Sequence, residues 1–307
     1  MHPNTRGFLV ARAAALGVAL AAALAGCGGA AGTKPTAGEA AVVAQPHGGV
    51  PKTDAATAAA IDRVLAGAHR SESNRARDVY RHPKETLEFF GIRQDMTVME
   101  IWPGAGGWYT EVLAPLLKDR GRYVAAGWDP ASEMKFVQDG VKAFQAKLDA
   151  NPELYGRAQV TALQFPSAMT PVPAASVDMV VTFRNLHNWM SREGAAVAML
   201  KAMFDALKPG GILGVVDHRA NPALPADASA RSGYVNEQQA IDLVRSVGFE
   251  YLGSSEVNAN PKDTKDYEQG VWTLPPTYRL GDRDRAKYAA IGESDRFTLK
   301  FRKPPAK

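Results

Sequence analysis

Two histidines, His187 and His218, each follow a short apolar run, and His218 stands directly after Asp217. Imidazole changes charge near neutrality, so a histidine at the exit of a strand is a candidate general base. Between positions 97 and 109 the chain reads T-V-M-E-I-W-P-G-A-G-G-W-Y, an apolar run carrying Glu100 that feeds into glycines at 104, 106 and 107. Glycine lets the backbone come close to a ligand, and a helix start offers unpaired N–H groups, so this turn can cradle a polar or anionic cofactor. His187, Asp217 and His218 are also acceptable metal ligands. No H-x-x-x-H or H-x-H spacing accompanies them, so no metal site is expected.

These residues need a frame, and the pattern supplies one. Short apolar runs at 97–101, 123–127, 159–163, 177–182, 212–216 and 251–257 alternate with helical stretches at 108–118, 132–148, 193–207 and 237–247. Such alternation predicts a doubly wound, mostly parallel α/β sheet with helices on both faces. A last strand at 296–301, R-F-T-L-K-F, alternates polar and apolar residues and predicts one exposed face. Two helices precede the first strand, at 55–68 and after His82-Pro83. Arg77, Asp78 and Arg81 lie between them and read as a solvated charged face, or else as contacts to a cofactor carboxylate. The segment 258–295 is too long to be a passive connection and predicts a lid-like insertion.

With 46% hydrophobic and 22% charged residues the chain is an ordinary globular protein rather than a disordered one. Its net charge of +4 is not gathered into a Lys/Arg run or an aromatic-basic stripe, so no nucleic-acid partner is expected. Residues 1–26 have a polar start with Arg6 and Arg12 and then an apolar run too short to span a bilayer, the form of an export signal. They end at the only cysteine, in Leu24-Ala25-Gly26-Cys27, which resembles a bacterial lipobox. That resemblance implies lipid attachment at Cys27, membrane contact through the lipid only, and a place on the periplasmic side, with Gly28 favouring the outer membrane. Residues 27–53, rich in Ala, Gly, Thr and Pro, read as a flexible linker, leaving 54–307 as the folded domain.

From residue 85 to 303 the chain resembles the class I S-adenosylmethionine-dependent methyltransferases. The resemblance rests on V-M-E-I-W-P-G-A-G-G, on Y-V-A-A-G-W-D-P, on S-V-D-M-V-V-T-F-R-N-L-H-N-W, on A-L-K-P-G-G-I-L-G-V-V-D and on F-T-L-K-F, in the family's order. It implies a seven-stranded Rossmann-like sheet whose last strand is antiparallel, with S-adenosylmethionine as cofactor and a small molecule as substrate. Glu100, Gly104 and Gly106 would cradle the methionine part and Asp129 the ribose hydroxyls, while Gln164 is the nearest match to the family's adenine contact. Asp129-Pro130 also suits a helix N-cap followed by proline. His187 and His218 would share one mouth as base candidates, with Arg184, Asn185 and Asn188 as substrate contacts. One departure is plain: Trp102 stands where the family usually has glycine. A protein of this fold that binds a ligand without transferring a methyl group is the alternative, because S-adenosylmethionine is made in the cytoplasm.

Overall fold

Strand β1 (Thr97–Ile101) is buried along nearly its whole length, as a parallel strand covered on both faces must be. It lies at the centre of a sheet with β2 (Arg122–Gly127), β3 (Gln159–Ala162), β4 (Val177–Phe183), β5 (Leu207–His218), β6 (Glu250–Ser255) and β7 (Arg296–Arg302). The order is β3-β2-β1-β4-β5-β7-β6, parallel except for β7, which runs antiparallel to both neighbours. The order reverses between β1 and β4, so ligands of such a sheet lie beyond the carboxyl ends of these two strands. The computed structural model describes residues 50–306; the proposed signal at 1–26, Cys27 and most of the 27–53 linker lie outside them.

Helices cover both faces. In chain order they are α1 (Ala55–Leu65), α2 (Glu72–Arg75), α3 (Asp78–Arg81), α4 (Pro83–Phe90), α5 (Thr110–Leu117), α6 (Lys135–Asp149) and α7 (Pro152–Tyr155), followed by α8 (Leu186–Met190), α9 (Ala195–Ala206), α10 (Glu237–Ser246) and α11 (Arg285–Ile291). Met99 and Ile101 join one hydrophobic core with α9 and α10, and Val98 joins the other with α1, α4 and α5. Period-2 alternation therefore turns Glu100 toward the α5 side. Asp54 caps α1, its carboxylate accepting the Thr57 N–H at 2.8 Å.

The last strand departs from expectation. All seven residues of β7 are buried, polar ones included. The cause lies far upstream, because α3, α4 and the residues before α1 cover its polar face. Arg296 donates to Tyr80 O at 3.1 Å, Lys300 to Pro51 O at 3.3 Å, and Asn258 donates to both Thr298 and Thr86 at 2.9 Å. The covering is tight: a Cβ on Gly214 of β5 would stand 2.6 Å from the Phe90 ring. The insertion at 258–295 contains a 3-10 turn (Gly270–Thr273) and α11, and it carries Trp272 to the end of the sheet.

Candidate active site at the carboxyl ends of the strands

The turn after β1 places residues above the crevice in an unusual way. Trp102 has φ 50°, a left-handed conformation that favours glycine. Its N–H bonds Ala126 O of β2 at 2.9 Å, and its indole reaches across to donate to Leu163 O, just past β3, at 2.6 Å. The ring meets Trp128 and Trp189 edge-on, with centroids 6.1 and 5.6 Å away. The indole therefore stands between two hollows. One, of about 180 Å³, is lined by Gly104, Trp128, Gly140 and Thr161 among others. The second, of about 340 Å³, is lined by Trp128, Gln164, Phe165, Asn188 and Trp189. Beyond the indole the turn is open: a Cβ on Gly104 or Gly106 would meet nothing within 4 Å. Side chains do not fill the space over this backbone, as a close-approach site requires.

Asp129 stands two residues past β2, and α6 begins only at Lys135, so it is not the cap of that helix. It forms its own turn instead, accepting the Ala131 N–H at 2.9 Å. Gln164 accepts the Asp129 N–H at 2.9 Å and so fixes the loop. Hydrogen bonds from Ser167 and Ala131 hold the Asp129 carboxyl below its ordinary range, which keeps it ionised. Ionised and part-exposed at the rim, it can accept hydroxyls.

Glu100 has a different place. It is 3% exposed and accepts the Tyr123 hydroxyl at 2.6 Å and that of Thr110 at 3.4 Å. Burial raises its pKa to about 7 against the lowering by those two hydrogen bonds. These hydroxyls, from β2 and α5, tie the carboxyl into the layer between sheet and helices. Asn185, proposed as a substrate contact, is buried too; its amide donates to Ile101 O at 2.9 Å and Thr182 Oγ1 at 3.2 Å, bracing the exit of β4 against β1. Asn188 is exposed, on the wall of the larger hollow.

The histidines converge at the ends of β4 and β5. Asp217 accepts the N–H of His187 at 3.1 Å, the N–H of His218 at 2.7 Å and the His187 ring at Nδ1 at 2.9 Å. The carboxylate fixes the ring with Nδ1 protonated, leaving Nε2 as the basic nitrogen. His218 Nδ1 lies 2.5 Å from Ser294 Oγ, and the two imidazole centroids are 5.3 Å apart. Burial pushes the His218 pKa well below the ordinary histidine range, aided by His187 and by the arginines 296, 184 and 81. Trp272 from the insertion faces His187 at 6.1 Å, and Tyr234 faces His218 at 6.4 Å.

His187, Asp217 and His218 bring one ligand atom each to within 4.8 Å of one another, which linear spacing did not reveal. Asp217 is already engaged three times, and the surrounding groups are cationic. Arg81, read as part of a solvated face, is 3% exposed and bonds Glu293 at 3.3 Å. Arg77 bonds the same carboxylate at 2.5 Å and Arg296 bonds it as well, whereas Asp78 pairs with Arg70 at 2.6 Å. Glu293 and Arg296 were not singled out in the sequence; the only signal was a charged E-S-D-R immediately before an apolar strand.

A seven-stranded sheet with this order, an antiparallel β7 and a glycine turn after β1 decides the architecture. The fold is that of the class I methyltransferases. No protein-family model matches the chain, and no curated protein matches it. Among solved structures, a SAM-dependent methyltransferase from Aquifex aeolicus is similar over 80% of this chain and 98% of its own, at 14% identity and TM-score 0.50. The [4+2]-cyclase SpnF is similar over 84% of this chain and 100% of its own, at 16% identity and TM-score 0.52. At such identities the likeness is one of fold.

Proposed function

We propose that this protein is an exported, lipid-anchored methyltransferase that uses S-adenosylmethionine to methylate a small molecule. The observation that carries the reading is the open backbone at Gly104 and Gly106 beside an ionised Asp129 whose loop Gln164 fixes. Gly104 and Gly106 would bear the methionine part and Asp129 the ribose, with the aromatic hollow beside Trp102 and Trp189 taking the base. Glu100, tied to Tyr123 and Thr110, would act by holding the turn rather than by touching the ligand. The cofactor supplies an electrophilic methyl group, and positioning supplies much of the rate. His187, oriented by Asp217, would take the proton from an acceptor hydroxyl or amine through Nε2, with His218 kept neutral beside it. The insertion carrying Trp272 would close over the acceptor, and Arg184 would contact it. Export and anchoring rest on the first 27 residues; accumulation of unprocessed precursor in Cys27→Ala is the expected result, and unchanged membrane partitioning would refute anchoring.

Calorimetric titration with S-adenosylmethionine and S-adenosylhomocysteine tests the cofactor site. Loss of a carboxylate that accepts two hydroxyls weakens binding by about 10- to 100-fold, so Asp129→Ala should show that drop. Absence of heat from folded protein would end the methyltransferase reading. The second reading, a ligand-binding protein without methyl transfer, is favoured by Trp102, whose indole occupies the floor between β1 and β3. That a cyclase shares the fold shows how loosely this architecture constrains chemistry. Binding of S-adenosylmethionine with no transfer of its methyl group to any acceptor would support it.

A further inference from the structure

Four guanidinium groups gather beside the two histidines, from Arg77, Arg81, Arg184 and Arg296. Glu293 bonds three of them. Arg184 lies within the same field, repelled by Arg296 and Arg77 and attracted by Glu293 and Asp217. Even with both carboxylates ionised, the four cations leave a surplus of positive charge. Glu100 also lies within this field, but with a pKa raised to about 7 it is only partly ionised at neutrality.

The surplus is visible in the hydrogen bonding. Arg81 Nη2, Arg77 Nη2 and Arg296 Nε are buried without a partner, on side chains of which Arg81 and Arg296 are 3% and 2% exposed. Arg184 makes no side-chain hydrogen bond or ion pair among the described residues. Its backbone is unusual as well, with φ 62° at the exit of β4 and the N–H held by Val216 O at 2.7 Å. Left-handed backbone at a bulky residue is strained, and a half-buried cation that lacks a partner among like charges is costly. A network kept only for stability would not combine both. Burial and the neighbouring cations lower the pKa of Arg184 to about 10, a penalty that an arriving anion would remove.

Arg184 and Arg296 lie on the far side of the crevice from the cofactor glycines, while Arg81 stands over the Trp108 ring just past them, 4.6 Å from its centroid. Arg184 closes β4, and Arg296 opens β7 opposite His218, so both belong to the β4–β5–β7 half of the crevice, whereas Gly104 and Gly106 follow β1. We propose that Arg81, Arg184 and Arg296 form a binding site for an anionic group, a carboxylate or a phosphate, of a small-molecule substrate whose acceptor atom lies against His187. Guanidinium forks match the oxygens of either group. The same surplus of positive charge makes His187, Asp217 and His218 a poor cation site. The inference rests on the methyltransferase reading only in calling the anion's carrier a substrate; anion binding stands apart from it.

The test uses the full chain, with succinate and inorganic phosphate as probes against chloride at equal ionic strength. Melting temperature and calorimetry are read for wild type, Arg184→Gln and Arg184→Lys. Wild type should be stabilised by at least one probe in a saturable manner, and the better probe names the group. Arg184→Gln should melt at the same temperature as wild type or higher, because an unpaired cation is gone while the backbone strain is unchanged, yet bind the probe about tenfold or more weakly. Arg184→Lys should keep part of the affinity. Equal stabilisation of wild type and Arg184→Gln, or none by either probe, would overturn the proposal. So would a different pattern: S-adenosylhomocysteine weakened about tenfold by Arg184→Gln while 5′-methylthioadenosine binds unchanged, since a guanidinium that holds the cofactor's carboxylate gives that selectivity. Absence of heat with either adenosyl ligand but retained anion binding would remove the methyltransferase reading and leave the anion site standing.

Discussion

The two halves of the crevice are made of different material. Around β1, β2 and β3 the walls are mainly aromatic, three indoles meeting edge-on beside open glycines, with the Asp129 carboxylate and the exposed Arg192 at the rim. Around β4, β5 and β7 the groups are charged, buried and incompletely paired. The first half suits a flat, largely uncharged ligand body. The second suits a charged group together with a proton acceptor. An unpaired buried guanidinium costs more than an open apolar hollow, so the chain carries its larger energetic burden in the half where chemistry would occur.

Substitutions can break this division. His187→Ala should lower the methylation rate by about 10²- to 10⁴-fold, the usual range for loss of a general base. Formation of S-adenosylhomocysteine from S-adenosylmethionine in the presence of an acceptor measures it. Affinity for the cofactor should hardly change; a parallel loss would mean that the halves are not separate. Asp217→Asn should follow it in direction, because the amide no longer fixes the ring with Nε2 basic.

In the aromatic half the expected effects are smaller. Trp102→Gly relieves the left-handed strain but removes a wall that would stack on the base, and a lost stacking contact weakens binding by roughly fivefold to tenfold. Trp102→Phe, which keeps a ring and loses only the bond to Leu163 O, should bind nearly as well as wild type. Calorimetry with S-adenosylhomocysteine distinguishes them, and tighter binding by Trp102→Gly would show that the indole obstructs the ligand.

The smallest effect belongs to Glu100. With its pKa raised to about 7 from an ordinary 4.5, the folded state prefers the protonated carboxyl. The cost of ionising it is absent below the ordinary value, grows as pH rises toward 7 and is complete above that. Glu100→Gln should therefore melt close to wild type at pH 5 and above it at pH 8, by roughly 5 °C. A difference independent of pH would mean that the carboxyl ionises without penalty.

Much of the frame was legible because buried parallel strands write themselves as short apolar runs between turn residues. The polar face of β7 was not, since what covers it comes from α3, α4 and Pro51, more than 200 positions upstream. The pairing of Arg77 and Arg81 with Glu293 hides in the same way, across separations of 216 and 212 residues. Glu100 was closer to hand: alternation with Met99 and Ile101 already puts it on the face of Val98, away from the other core. Trp102 stood out by type, but its hydrogen bond to Leu163 depends on β3 lying two strands away, which only the sheet order supplies.

Pro51 gives the domain a front and a back. Its carbonyl is held by Lys300, and it sits so close to Gly91, before β1, that a Cβ there would stand 2.1 Å from it. The chain thus enters the fold near the amino end of β1, opposite the crevice. Entry at that end keeps the segment around Pro51 clear of the carboxyl ends of the strands, so both halves of the crevice are reached without passing the start of the fold.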